Sequence, residues 1–212
     1  MCRLLRVEFT MLIFIFKILK LIKIYSKFVI MRQISFQGYF MHSFACFYSS
    51  PLGKLTLFSD SIHLTQLCFD TTLNENELEK ATIKPLSIFD KSKLWLDEYF
   101  SGKEPKFTLK IALKGSKFQH EVWDLLRLLP YGKLSTYGEL AEQIAHKNGI
   151  AKMSARAVGG AVGRNPLPII VPCHRIIGAN HKLTGFTGGI DKKIFLLKCE
   201  HIDILEFTLP RQ

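Results

Sequence analysis

Pro172-Cys173-His174-Arg175 sets a thiol, an imidazole and a guanidinium on consecutive residues, the material of nucleophilic group transfer. Thiolate is the nucleophile, and neighbouring positive charge favours it over thiol, so the run predicts a lowered pKa at Cys173. A lone cysteine can also be buried and inert. Cysteine with histidine serves acyl transfer as well, so hydrolase chemistry stays open on these residues alone.

The elements around Cys173 must hold it rigidly. Residues 169 to 171, Ile-Ile-Val, read as a short buried strand that delivers the cysteine at its end. Upstream, Ser154 can cap a helix from Ala155 to about Arg164, which contains Ala157, Val158, Gly159, Gly160, Ala161 and Gly163. Such small residues weaken an isolated helix but allow close backbone approach, either to a neighbouring helix or to DNA. Two S/T-x-x-E/Q capping boxes precede it, Ser116 with Gln119 and Thr136 with Glu139. The first of these helices should stop before Pro130, with Phe118, Val122, Leu125, Leu126 and Leu129 on its apolar face. Together the three suggest a helix-turn-helix.

Before residue 115 the pattern changes. Residues 44 to 48 and 55 to 58 flank a Ser-Ser-Pro-Leu-Gly turn, and residues 62 to 69 follow as a third strand. Residues 86 to 100 have helical spacing that stops at Gly102. Phe107, Leu109, Ile111 and Leu113 then alternate as one more strand. Residues 41–114 are read as one α+β domain, 115–205 as a second domain and 206–212 as a tail.

The chain of 212 residues carries a formal charge of +11, which directs attention to anionic partners. Residues 1–40 hold +6 of it and leave +5 for the rest, so DNA binding here needs a shaped site beyond charge. Lys17, Lys20, Lys23 and Lys27 interrupt the apolar stretch 11 to 30, too many charges for a span. Residues 1–40 are therefore read as a basic apolar extension outside the working protein, with translation starting at Met31 or Met41; a helix lying on a membrane surface is the alternative. Five scattered cysteines make a poor disulfide framework and point to a reducing cytoplasm. No cysteine and histidine spacing suggests a metal, and no glycine-rich fingerprint suggests a nucleotide cofactor.

Val-Pro-Cys-His-Arg-Ile-Ile at 171 to 177 resembles the active-site signature of the O6-alkylguanine-DNA alkyltransferases. The likeness extends in order through FQHEVW at 118 to 123, PYGK at 130 to 133, TYGELA at 136 to 141, RAVGGA at 156 to 161, NPLP at 165 to 168 and GFTGG at 185 to 189. SPLG at 50 to 53 carries a weaker likeness in the first domain, and residues 1–40 match nothing.

The resemblance implies an α+β protein, with a small ribonuclease H-like α/β domain followed by a winged-helix-like helix-turn-helix domain. It implies a monomer on the minor groove of double-stranded DNA, the alkylated guanine flipped into a pocket, and irreversible transfer of the alkyl group to Cys173. No cofactor and no small-molecule methyl donor are expected, because the methyl comes from DNA. His174 is implied as the base, acting through a water, Glu200 as the carboxylate that orients it, and Tyr137 as the donor to the departing guanine. Arg156 would fill the gap in the base stack, with Ala157 and Gly160 at the groove. Asn165 would hold the turn before Cys173, and Val171 and Thr187 would meet the guanine edge. Phe186 stands where some members carry tyrosine, so a hydroxyl contact to the base is absent there. Members that only sense lesions lack the cysteine; a non-catalytic lesion sensor is thus the alternative function.

Overall fold

The computed structural model describes residues 43–205 and 207–209. The readings placed on residues 1–40 lie outside them. Strands β1 (Phe44–Ser50), β2 (Gly53–Ser59) and β3 (Leu64–Phe69) form an antiparallel meander. Gly53 makes the first turn at φ +96°, where a side chain would be strained. A short helix α1 (Glu75–Glu79) returns the chain to β4 (Thr82–Ile83), which pairs parallel with β1, giving the order β3-β2-β1-β4. The central strand β2 is buried on both faces from Leu55 to Ser59.

Helix α2 (Ser87–Phe100) lays Ile88, Phe89, Ser92, Leu96 and Tyr99 on this core, the i, i+3, i+4 stripe expected of an amphipathic helix. The alternating residues 107 to 113 do not form a strand. Only Ile111 bridges to Leu64, through Leu64 N–H donating to Lys110 O and Ala112 N–H donating to Leu64 O.

Both capping boxes are present. Ser116 and Gln119 exchange bonds at the start of α3 (Lys117–Leu128), and Thr136 and Glu139 do so at α4 (Tyr137–Lys147). Ser154 caps α5 (Ala155–Gly163) by accepting from Ala157 N–H. Helix α5 packs on α3 and α4, and Trp123 Nε1–H donates to Ala161 O at 2.9 Å across the α3 crossing. Two-residue strands β5 (Ser135–Thr136) and β6 (Ile176–Ile177) pair parallel, and α6 (Ile190–Cys199) closes the described fold. No described helix is long and apolar enough to cross a membrane.

Candidate active site

The strand expected at residues 169 to 171 is replaced by a tight turn. Ile169 is held at φ +75°, a costly region for a β-branched residue, and Val171 N–H donates back to Leu167 O at 2.8 Å. Asn165 explains why the turn wins over β propensity. Its Oδ1 accepts from Leu167 N–H at 3.0 Å and its Nδ2 donates to Val171 O at 2.8 Å, clamping the loop from inside. Cys173 therefore opens a 3-10 turn, Cys173–Arg175, whose exit is strand β6.

Cys173 is almost fully buried, 4% exposed. Burial pushes its thiol up to about 11, while Asn165 and the Lys193 ammonium pull the other way and lose. The lowered pKa expected from the sequence is thus overturned. His174 supplies no charge, because burial lowers its pKa more than the bond to Glu200 raises it. Arg175 points its charge elsewhere, onto Glu200.

Glu200 is the hub of the network. It sits one residue past α6, as its C-cap. Oε1 accepts from His174 Nε2–H at 2.6 Å, Tyr99 Oη–H at 2.9 Å and Arg175 Nη2–H at 3.0 Å. Oε2 accepts from Arg175 Nε–H at 2.8 Å and the Gly132 amide at 3.0 Å. Burial alone would raise this carboxyl, but the hydrogen bond from His174 and the bonds and charge of Arg175 outweigh it and bring the pKa down to about 2. The other imidazole nitrogen, His174 Nδ1, is buried with no partner. An imidazole with Nε2–H committed to a carboxylate and Nδ1 free is set to accept a proton at Nδ1.

Tyr137, the first residue of α4, places its Oη 3.0 Å from Thr184 Oγ1, and its ring lies beside Gly159, where a methyl group would sit 3.5 Å away. Thr187 Oγ1–H donates to Gly163 O at 3.1 Å, tying its loop to the end of α5. Phe186 meets Phe69 edge to face at 5.9 Å, packed toward the sheet. Arg156, Ala157 and Gly160 share the exposed face of α5, whereas Val158, Ala161 and Val162 are buried. Of the residues singled out in the sequence, Cys173, His174, Glu200, Asn165 and Val171 thus converge, and the α5 trio forms a separate outer face.

Three residues of the site escaped the sequence reading. Tyr99 and Gly132 lie 101 and 68 positions from their shared partner Glu200. Lys193 left a signal: it falls with Leu196 and Leu197 on the buried stripe of α6. Its ammonium donates to Ile176 O and to Thr184 O, and burial lowers it to about 8 although Cys173 favours its charge. Among the described residues no cluster of three His, Cys, Asp or Glu side chains could hold a metal ion.

Two family models match the chain. The "6-O-methylguanine DNA methyltransferase, ribonuclease-like domain" covers residues 44–113, and the "6-O-methylguanine DNA methyltransferase, DNA binding domain" covers residues 117–202. The chain belongs to the 6-O-methylguanine DNA methyltransferase family. A methylated-DNA--protein-cysteine methyltransferase of Haemophilus influenzae is 40% identical to it over 78% of this chain and 92% of that protein. One of Mycolicibacterium paratuberculosis is 44% identical over 71% of this chain and 88% of its own length. The Mycobacterium tuberculosis O6-methylguanine methyltransferase structure superposes with TM-score 0.66 at 41% identity, covering 74% of this chain and 92% of that one. A structure of the mycobacterial protein in complex with DNA gives TM-score 0.65 at 40% identity, over 75% and 92% of the two chains. The family accounts for the sheet-bearing first half and the helical DNA-binding second half.

Proposed function

We propose that this chain repairs O6-alkylguanine in double-stranded DNA by transferring the alkyl group to Cys173 Sγ, once per molecule. The observation that carries the reading is a buried thiol followed directly by an imidazole whose Nε2–H is bound to Glu200 and whose Nδ1 is free. A thiol held near 11 is protonated at rest, so a base has to act during attack. His174 takes the proton through a water as the Sγ–C bond forms and the O6–C bond breaks, and Glu200 stabilises the imidazolium. Guanine leaves with the bonding pair. Tyr137 donates a proton to it, and exchange with solvent restores His174 and Tyr137.

The exposed face of α5 suits the minor groove. Ala157 and Gly160 permit close backbone approach, and Arg156 at the helix start enters the stack as the base flips out. Asn165 holds the Val171 turn, and Val171 and Thr187 meet the guanine edge, with Phe186 behind them. Residues 41–114 serve as a supporting domain and 115–205 as the reactive one. The protein works as a monomer, without a cofactor, and the free thiols of Cys46, Cys68, Cys173 and Cys199 suit a reducing cytoplasm.

The test is intact mass after incubation with a duplex containing one O6-methylguanine, beside a Cys173→Ser control. One methyl group gained by wild type alone, on the peptide carrying Cys173, is the expected result. Binding of the lesion with no gain in mass overturns the transfer and leaves a lesion sensor.

A further inference from the structure

Tyr99 lies on α2, in the half of the chain that carries the sheet, yet its hydroxyl reaches the carboxylate of the reactive half. Its Oη–H donates to Glu200 Oε1 at 2.9 Å, the same oxygen that holds His174 Nε2–H, and Oη lies 3.2 Å from that nitrogen. The ring is fully buried, stacked on Trp95 and meeting Tyr131 and His174 edge to face. Burial, first, and the Glu200 charge keep the hydroxyl protonated, so it acts as a donor across the working pH range. A neutral donor shared with His174 on one carboxylate oxygen withdraws charge from the bond that imidazole depends on.

We propose that Tyr99 is a positioning residue for alkyl transfer: its hydroxyl fixes Glu200 Oε1 against His174 and moderates the basicity of that imidazole. The role rests on His174 acting as the base for Cys173. Its consequence has a sign. Without the hydroxyl, Glu200 carries more uncompensated charge toward His174, the imidazolium is favoured, and neutral His174 is lost at a higher pH. The other charged groups facing His174 are Arg175, on the same carboxylate, and Lys193 of α6; both oppose its protonation and are untouched by the change.

The experiment compares the full chain, Tyr99→Phe and a Trp95→Phe packing control. The single-turnover rate of methyl transfer from an O6-methylguanine duplex is measured across pH, with thermal melting alongside. In Tyr99→Phe the acidic limb of the pH profile moves upward by roughly half a unit to one unit, consistent with the loss of one charge-assisted bond. In Trp95→Phe the limb stays in place. A uniform loss of rate with an unmoved limb, or no change at all, overturns the proposal. Wild type that transfers no methyl at any pH instead overturns the function on which it rests. Should Tyr99→Phe fail to fold, the wild type decides by NMR: a Tyr99 hydroxyl proton protected from solvent exchange and close to the His174 ring supports the role, and a freely exchanging one overturns it.

Discussion

Asn165 and Cys173 are joined through one atom: the Val171 carbonyl accepts both the Asn165 Nδ2–H at 2.8 Å and the Cys173 amide at 2.8 Å. The nucleophile is held by a side chain eight residues upstream, at the end of the helix proposed to enter DNA. Asn165→Ala removes that clamp and leaves Leu167 N–H unpaired in the interior. Loss of about 2 kcal/mol in urea unfolding is expected, because buried polar groups lose their partners. Methyl transfer should fall by ten-fold or more. Full transfer rate in a destabilised variant would sever the link between the clamp and the thiol.

Glu200 links stability to pH. Its folded pKa near 2 lies below its ordinary 4.5, so the unfolded chain binds the proton first as pH falls. The stabilisation is complete above about 4.5 and drains away toward 2, and it is on the order of 3 kcal/mol. Glu200→Gln should unfold more readily at pH 7, since Arg175 loses its charge partner. The gap between the two proteins should then shrink as pH is lowered toward 3 in matched urea titrations. A gap independent of pH would remove the carboxylate from this role.

What the sequence disclosed divides by range. The caps at Ser116, Thr136 and Ser154 act on amides three residues away, so helices α3 to α5 were legible in short windows. Cys173 and His174 were legible as chemistry because they are adjacent. Residues 169 to 171 misled because β-branched composition argues for a strand, while the deciding bonds come from Asn165 and force Ile169 to φ +75°. Phe107 to Leu113 misled for a related reason: alternation needs a partner strand, and only Leu64 was available. The five bonds on Glu200 arise from three other stretches of chain, at Tyr99, Gly132 and His174-Arg175, and such a convergence leaves no periodicity to read.

The buried thiol makes a prediction for the protein without DNA. Cys173 is 4% exposed and held near 11, so iodoacetamide at pH 8 should label it far more slowly than half-buried Cys199, as read from peptide masses. Between pH 9 and 11 labelling of Cys173 should climb as thiolate forms. Rapid labelling at pH 7 would mean that the resting nucleophile is already ionised, and His174 would then have no proton to take.

The outer face of α5 separates packing from recognition. Gly160 is exposed inside the helix, and a methyl group there would meet only the flexible end of Arg164, at 3.3 Å from Nη1. Gly160→Ala should therefore raise stability by roughly 0.5–1 kcal/mol, since glycine costs a helix about that much relative to alanine. If this face seats in the minor groove, the same methyl stands between backbone and DNA, and affinity for the lesion duplex should drop several-fold. Urea unfolding and a fluorescence titration at one fixed salt concentration read the two effects separately. Higher stability with unchanged DNA affinity would move the contact surface off this face of the helix, to another part of the protein.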